Sequence, residues 1–213
     1  MIRLVCLVIG YCFGLFQTAY IIGKIHGIDI REYGSGNSGT TNMLRTLGKK
    51  AGLMTFAGDC LKAMAAIWLI RVVFGRSHAD MLPLLSIYTG AGVILGHNYP
   101  FYLKFRGGKG IAATAGMVLT MNIPLIILGI IAFFGTTLIT HYVSLGSIMV
   151  YVMLLFAVPF FGESGVYGMT QPLRIEMYIV IAVLAVMAFW RHRANIVRLL
   201  HGTERKTYFF KKR

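Results

Sequence analysis

Long apolar runs alternate with short polar stretches along the whole of this 213-residue chain. The apolar runs occupy 2–23, 51–74, 81–99, 111–122, 124–140, 147–161 and 173–190. A helix that crosses a bilayer needs about 20 mainly apolar residues, so the pattern predicts about seven transmembrane helices. The run 111–122 is the doubtful member, because a helix rises only about 1.5 Å per residue and this one is short for a full crossing. Pro124 stands where a helix start tolerates proline. The polar stretches 24–50, 75–80, 100–110, 141–146 and 162–172 are connections, and 191–213 is a tail. No repeat or low-complexity linker divides the chain. The expectation is one all-α polytopic membrane domain over 1–213.

Composition strengthens this reading. The hydrophobic set makes up 57% of residues and charged residues only 13%, against about 25% charged in a soluble domain. Mean hydropathy is +0.71. The net charge of +14, from 21 Lys and Arg against 7 Asp and Glu, would suggest nucleic acid in a soluble chain. In a chain this apolar it reads as topology signals and contact with anionic lipid, with no nucleic-acid partner.

The basic residues cluster in 24–50, 100–110 and 191–213. Seven crossings put all three segments on one side, which the positive-inside rule makes cytoplasmic, with the N-terminus outside. A re-entrant 111–122 would send the tail to the other side, and the tail's charge argues against that. The first apolar run lacks a small-x-small cleavage site and is kept as a span. Cys6, Cys12 and Cys60 lie in apolar runs without a CxxC, so neither a disulfide nor a metal site is expected.

The polar stretches carry the candidate chemistry. Residues 34–48 combine Gly34, Gly36, Gly39 and Gly48 with Ser35, Asn37, Ser38, Thr40, Thr41, Asn42 and Arg45. Glycines let backbone N–H groups approach a ligand, and the side chains add hydrogen-bond donors, a mixture that suits phosphate. It is not a P-loop, because G-x-x-x-x-G-K-[ST] is absent. An ordinary glycine-rich turn between helices is the plainer alternative.

Lys104, Arg106 and Lys109 surround Gly107, Gly108 and Gly110, just before a helix expected from Ile111. A helix N-terminus offers free N–H donors and partial positive charge; topology charge is the alternative. His97 and Asn98 precede this loop. His192 and Asn195, three apart, share a helix face if the last span continues, whereas charge alone reads 191–198 as a stop signal. Asp59 and Lys62 sit inside a span, either as a self-neutralising pair or as support for a loop. Ser144 and Ser147 could donate to an anion or merely cap a helix.

Three of these stretches together resemble the motifs of the bacterial acyl-phosphate:glycerol-3-phosphate acyltransferases, the PlsY family. They are Gly34-Ser-Gly-Asn-x-Gly-x-Thr-Asn-x-x-Arg-x-x-Gly48, Gly96-His-Asn-Tyr-Pro-Phe-Tyr-Leu-Lys-Phe-Arg-Gly-Gly-Lys-Gly110 and Arg191-His-Arg-x-Asn-Ile-x-Arg-Leu199. The Asp-x-x-Lys pair at Asp59 and Lys62 is also similar, and only the 162–172 connection is longer than usual.

The resemblance implies acyl transfer from a fatty acyl phosphate to glycerol 3-phosphate. The product is 1-acylglycerol 3-phosphate, the first acylation of phospholipid biosynthesis. Neither acyl-CoA nor acyl carrier protein would be the donor. Consistently, none of the six histidines has Asp five positions on, as His-x-x-x-x-Asp acyltransferases do. By resemblance, Ser35, Arg45 and Lys104 hold glycerol 3-phosphate, and His192 and Asn195 meet its glycerol part. Thr41, Gly107, Gly108, Lys109, Gly110 and Ser144 cradle the acyl phosphate, with Ser147 an alternative to Ser144. Asn37, Asn42, Asp59, Lys62, His97 and Asn98 support them from behind, and His192, Asn195 and Lys104 are the candidates for catalysis.

No serine or cysteine stands in a nucleophile pattern, so direct attack by the glycerol hydroxyl is expected, assisted either by His192 or by the substrate's own phosphate. No cofactor and no metal are expected. The partners are the two substrates and membrane lipid. The chain is expected to act as a monomer in the bacterial plasma (inner) membrane, with transient coupling to an acyl-phosphate-producing enzyme. A small-anion transporter is the competing class, although transporter sites lie at the bilayer midplane and these motifs crowd one surface.

Overall fold

A computed structural model describes residues 1–208 and is all-helical over them. Lys211, Lys212 and Arg213, which count toward the basic tail, lie outside the described residues. The helices are α1 (Ile2–Gly14), α2 (Thr18–Ile25), α3 (Thr40–Phe74), α4 (Leu82–Asn98) and α5 (Ile111–Leu119). They continue with α6 (Ile123–Ile130), α7 (Thr136–Thr140), α8 (Val143–Glu163), α9 (Gln171–Arg191) and α10 (Arg193–Leu200). Six helical stretches are long and apolar enough to cross a membrane: Ile2–Ile25, Thr40–Phe74, Ala79–Leu103, Ile123–Thr140, Val143–Glu163 and Gln171–Arg191. They match six of the seven expected spans.

The remaining expected span is α5, only 9 residues long. It nevertheless carries the chain to the far side. Near its start the Cys60 thiol donates to Ala112 O at 3.1 Å. At its end Arg71, one turn from the end of α3, donates to Thr120 O. The rest of the depth is supplied by the glycine loop before it, which descends along the end of α4: Gly107 N–H donates to Asn98 O (3.2 Å) and Gly108 N–H to His97 O (3.1 Å). The crossing is short because the loop, not the helix, enters the protein first.

In a bilayer, helices gain little from burying apolar surface against one another, so close backbone packing by small residues holds them together. Gly10 and Gly14 on α1 meet Gly92 and Gly96 on α4 in this way. A Cβ on Gly10 would lie 2.1 Å from Thr89 O, and one on Gly92 2.1 Å from Leu7 O. The same device joins α5 to α3, where a Cβ on Gly116 would lie 2.3 Å from Cys60 O. Between α1 and α2 the helix breaks, and buried Gln17 donates to Gly14 O (3.1 Å), Gly96 O (3.2 Å) and His97 O (3.1 Å). The Gly14 carbonyl at the break and two carbonyls at the end of α4 thereby gain a donor away from water.

The first polar stretch departs from the expected open connection. Helix begins at Thr40 and runs to Gly48, where φ of 87° breaks it before the membrane-spanning part of α3. A side chain is strained at that backbone angle, and Gly48 is not.

Candidate active site

The face that carries the ends of α4 and α9 and the starts of α5 and α8 gathers the three motifs. In the first, Asn42 is buried and organises the loop around itself. Its Oδ1 accepts from Ser35 N–H (2.9 Å), and its Nδ2 donates to Ile30 O (3.1 Å) and Tyr33 O (3.0 Å). Gly34 and Gly36 take φ of 61° and 68°, which lets the chain fold round Asn42. Ser35 and Arg45 are exposed, Asn37 and Thr41 half-buried, and Ser38 buried without a partner for its hydroxyl.

In the second motif, Gly107, Gly108 and Gly110 are buried at the entry to α5. Arg191, at the end of α9, holds the carbonyls of this loop: its Nη2 donates to Gly107 O at 3.0 Å and its Nε to Gly108 O at 3.1 Å. Its guanidinium also lies over the Tyr99 ring, 5.2 Å from the centroid. Lys109 donates to Asn195 Oδ1 and so joins the second motif to the third. Asn98 is fully buried with both amide atoms unpartnered. A Cβ on Gly110 would lie 3.1 Å from Asn98 Oδ1.

In the third motif, His192 interrupts the helix between α9 and α10, yet its carbonyl still accepts from Ile196 N–H at 2.9 Å. His192 and Asn195 are both buried. The His192 Nδ1 lies 2.8 Å from Ala188 O. Only a donor can satisfy that carbonyl, so the proton is on Nδ1 and Nε2 keeps its lone pair. Burial, then the charge of Lys109, pulls the imidazole down to about 4. The ring is neutral at physiological pH. Burial likewise pulls Lys109 down to about 8, with Arg198, Arg191 and Arg45 adding to it against the pull of Glu204.

The C-terminal segment closes the cluster. Glu204 accepts from Asn195 Nδ2 (2.7 Å), Ser144 Oγ (3.0 Å) and Arg198 Nε (2.7 Å). Burial raises this carboxyl, but the three donors outweigh it and hold the group below the ordinary range. Arg45 donates to Thr207 Oγ1 (2.6 Å) and Arg205 O (3.2 Å), and Thr207 N–H donates to His141 O (2.8 Å). All three motifs and the α7–α8 turn therefore share one face, as the charge pattern requires.

Of the two serines, Ser144 faces this cluster, whereas Ser147 donates to Val143 O of its own helix at 2.8 Å. Lys104 is exposed in a left-handed conformation, φ 55°. It lines a separate cleft of about 280 Å³ with Tyr20, Asp29, Arg31, Glu32 and Arg106. Among the described residues, no hydrogen bond ties Ser35, Thr41 or Lys104 into the Glu204 cluster.

Asp59, Lys62 and His97 lie beneath the loop. Lys62 Nζ donates to Asp59 Oδ1 at 2.7 Å and lies 2.9 Å from His97 Nδ1. Sequence reasoning did not single out Gln17, Arg191 as a loop anchor, or Glu204. Charge alone reads Arg191 as part of a stop signal, and Glu204 carries no signal of its own in the sequence; their roles depend on contacts with residues 83 and 60 positions away.

A family model described as "Glycerol-3-phosphate acyltransferase" matches residues 4–202. A glycerol-3-phosphate acyltransferase of Alkaliphilus metalliredigens is 44% identical, with 97% of this chain and 96% of that one covered. One of Clostridioides difficile is 41% identical, with 93% and 92% covered. The crystal structure of PlsY (YgiH), an integral membrane glycerol 3-phosphate acyltransferase, is similar in its glycerol 3-phosphate form. Its TM-score is 0.81 and its identity 31%, with 97% of this chain and 96% of that one covered. The lysophosphatidic acid form has a TM-score of 0.78 and 30% identity, with 97% and 95% covered. Matched along nearly its whole length, this multi-pass protein of the bacterial plasma (inner) membrane belongs to the glycerol-3-phosphate acyltransferase family.

Proposed function

We propose that the chain transfers a fatty acyl group from an acyl phosphate to the 1-hydroxyl of glycerol 3-phosphate. The products are 1-acylglycerol 3-phosphate and phosphate, and no acyl-enzyme forms. The observation that carries this reading is the Glu204 cluster. Donors from α8 and α10 converge there on an anion that the chain itself supplies, and Lys109 is joined to them through Asn195 Oδ1. A site that gathers cations and amide donors around a carboxylate is suited to a phosphate group. The membrane setting suits a donor whose acyl chain stays in lipid while its phosphate reaches the cytoplasmic surface.

Arg45 and Ser35 bind the phosphate of glycerol 3-phosphate, Lys104 reaches it only by swinging out of its separate cleft, and Asn195 and His192 meet the glycerol part. Thr41, Lys109 and Ser144 hold the acyl phosphate at the glycine loop. The amides of Gly107 and Gly108 already donate to α4, which leaves those at the start of α5 as the backbone donors. The glycerol oxygen attacks the acyl carbonyl carbon, and the bond from that carbon to the phosphate oxygen breaks. The hydroxyl proton ends on the departing phosphate. His192 Nε2, with its lone pair free, accepts a hydrogen bond from the hydroxyl and aims it. The mixed anhydride already has a good leaving group, so holding two anions in line supplies most of the rate.

The test is formation of lysophosphatidic acid by purified protein given palmitoyl phosphate and glycerol 3-phosphate without CoA, carrier protein or metal. Arg45→Ala is run beside wild type and is expected to lose most of the product. Product from palmitoyl-CoA but none from palmitoyl phosphate would overturn the donor.

A further inference from the structure

We propose that Asp59, Lys62 and His97 form a buried positioning set that holds Gly108, and through it the glycine loop, in register for the acyl phosphate. The inference rests on the acyl-phosphate reading above. All three side chains are buried, at 1%, 7% and 3% exposure. Ionised groups inside a membrane bundle are costly, and a well-packed apolar pair often replaces a buried ion pair without loss. Their presence therefore asks for a task that apolar side chains would not perform.

The geometry supplies one. The Lys62 ammonium has only donors, and it donates to Asp59 Oδ1 (2.7 Å) and Phe16 O (2.6 Å). Its remaining N–H is directed at His97 Nδ1, 2.9 Å away, which must therefore accept. The neutral imidazole then carries its proton on Nε2. A proton on Nδ1 would instead oppose the ammonium. Asp59 Oδ1 also accepts from Thr18 Oγ1 at 3.0 Å, so the break between α1 and α2 supports the set from behind.

The Nε2 side of His97 abuts the loop. A Cβ on Gly108 would lie 2.1 Å from His97 Nε2 and 2.8 Å from Ser38 O. Gly108 is thus pinned between the His97 ring and the carbonyl of the first motif. Its own N–H is tied to His97 O at 3.1 Å, and its carbonyl to Arg191 Nε at 3.1 Å. The ion pair on α3 fixes the tautomer and ring of His97 on α4, and the ring fixes the loop that opens α5. These three residues act through Gly108 and need not touch substrate.

The test varies palmitoyl phosphate and glycerol 3-phosphate separately with purified enzyme. His97→Phe and Lys62→Met are each expected to raise KM for palmitoyl phosphate about tenfold, about 1.4 kcal/mol. KM for glycerol 3-phosphate should stay within about twofold, ~0.4 kcal/mol. His97→Gln, whose side-chain oxygen can accept from Lys62 in place of Nδ1, is expected to recover part of the loss. Equal rises in both KM values, or a fall in kcat alone, would overturn the proposal. Wild type that turns over no palmitoyl phosphate would remove the substrate reading, and the acyl-phosphate form of this inference with it.

Nitrogen-15 histidine spectra of the wild-type protein in lipid give a readout that needs no stable variant of Lys62. The signal that disappears in His97→Gln should show a neutral ring protonated at Nε2 near neutral pH. A ring protonated at Nδ1, or at both nitrogens, would refute the positioning role whatever the kinetics.

Discussion

Two polar clusters lie a short distance apart in this protein and are built on opposite principles. The Asp59–Lys62–His97 set is closed: one carboxylate, one ammonium and one imidazole answer each other among buried helices. The Glu204 cluster is open. Arg45, Lys109, Arg191 and Arg198 crowd one face, and the acidic group in contact with Asn195, Ser144 and Arg198 is a side chain from the tail. A set whose charges answer one another can position, and among the described residues only Asp59 Oδ2 is left in it buried without a partner. An open set with surplus cations waits for anions. On the proposed function, the difference separates the machinery that shapes the site from the machinery that takes substrate.

Deleting a carboxylate from each cluster should have very different consequences. Asp59→Ala leaves the Lys62 ammonium buried and unpaired, a loss of roughly 3–5 kcal/mol for such pairs. Folded protein recovered from membranes and its thermal midpoint should both fall steeply. A midpoint near that of wild type would show that the inner set is not electrostatically closed.

On the proposed mechanism, His192→Ala removes the acceptor that aims the hydroxyl. We expect a loss of roughly 100-fold in rate, toward the low end for a positioned acid–base group, with the shape of the pH–rate profile retained. Loss of a pH limb in the variant would make His192 the base instead.

Glu204→Gln removes only the tail anion. Its partner Arg198 is substantially exposed, at 42%, so solvent screens the pair. The expected cost is about 1 kcal/mol, read as a shift of a few degrees in the thermal midpoint. A collapse as large as that of Asp59→Ala would mean that the outer cluster is structural after all.

The smallest effect is expected from Lys109→Arg. Lys109 is pulled down to about 8, so in the free enzyme its charge is present below that pH and lost above it. Its contribution to binding anions should fade along the alkaline side of the kcat/KM profile, which reports the free enzyme. Arginine stays charged, and the variant should hold its plateau beyond pH 8, whatever its absolute rate. An unchanged alkaline limb would assign that limb to another group.

Much of this could be read from the chain alone, for reasons that can be traced residue by residue. The i, i+3 pair Asp59 and Lys62 was visible because both lie on one helix. Its third member was not, because His97 comes from another helix 35 positions away. The clustering of Gly34, Asn42 and Arg45 signalled an anion loop. That Asn42 is its scaffold and Arg45 reaches the tail emerged only from the fold. Ser144 and Ser147 were indistinguishable until α8 was oriented, and one of them turned out to serve its own backbone. The start of helix at Thr40 was hidden because Gly48, which breaks it, reads equally well as part of an open loop.

Six of the spans, the side on which the basic motifs gather and the kinds of residue offered to a ligand followed from local composition. A bilayer selects about 20 apolar residues per crossing and sorts Lys and Arg by side whatever the helices later do. Which donors meet was decided by tertiary packing. Glycine contacts between α1 and α4 bring the helices backbone to backbone, and the return of the glycine loop onto the end of α4 sets Gly108 against the ring of His97. Hydrogen bonds weaken steeply as distance and angle depart from ideal, so a small rotation of one helix decides whether Arg191, Glu204 or Ser144 belongs to the site. No local pattern in the chain encodes that rotation.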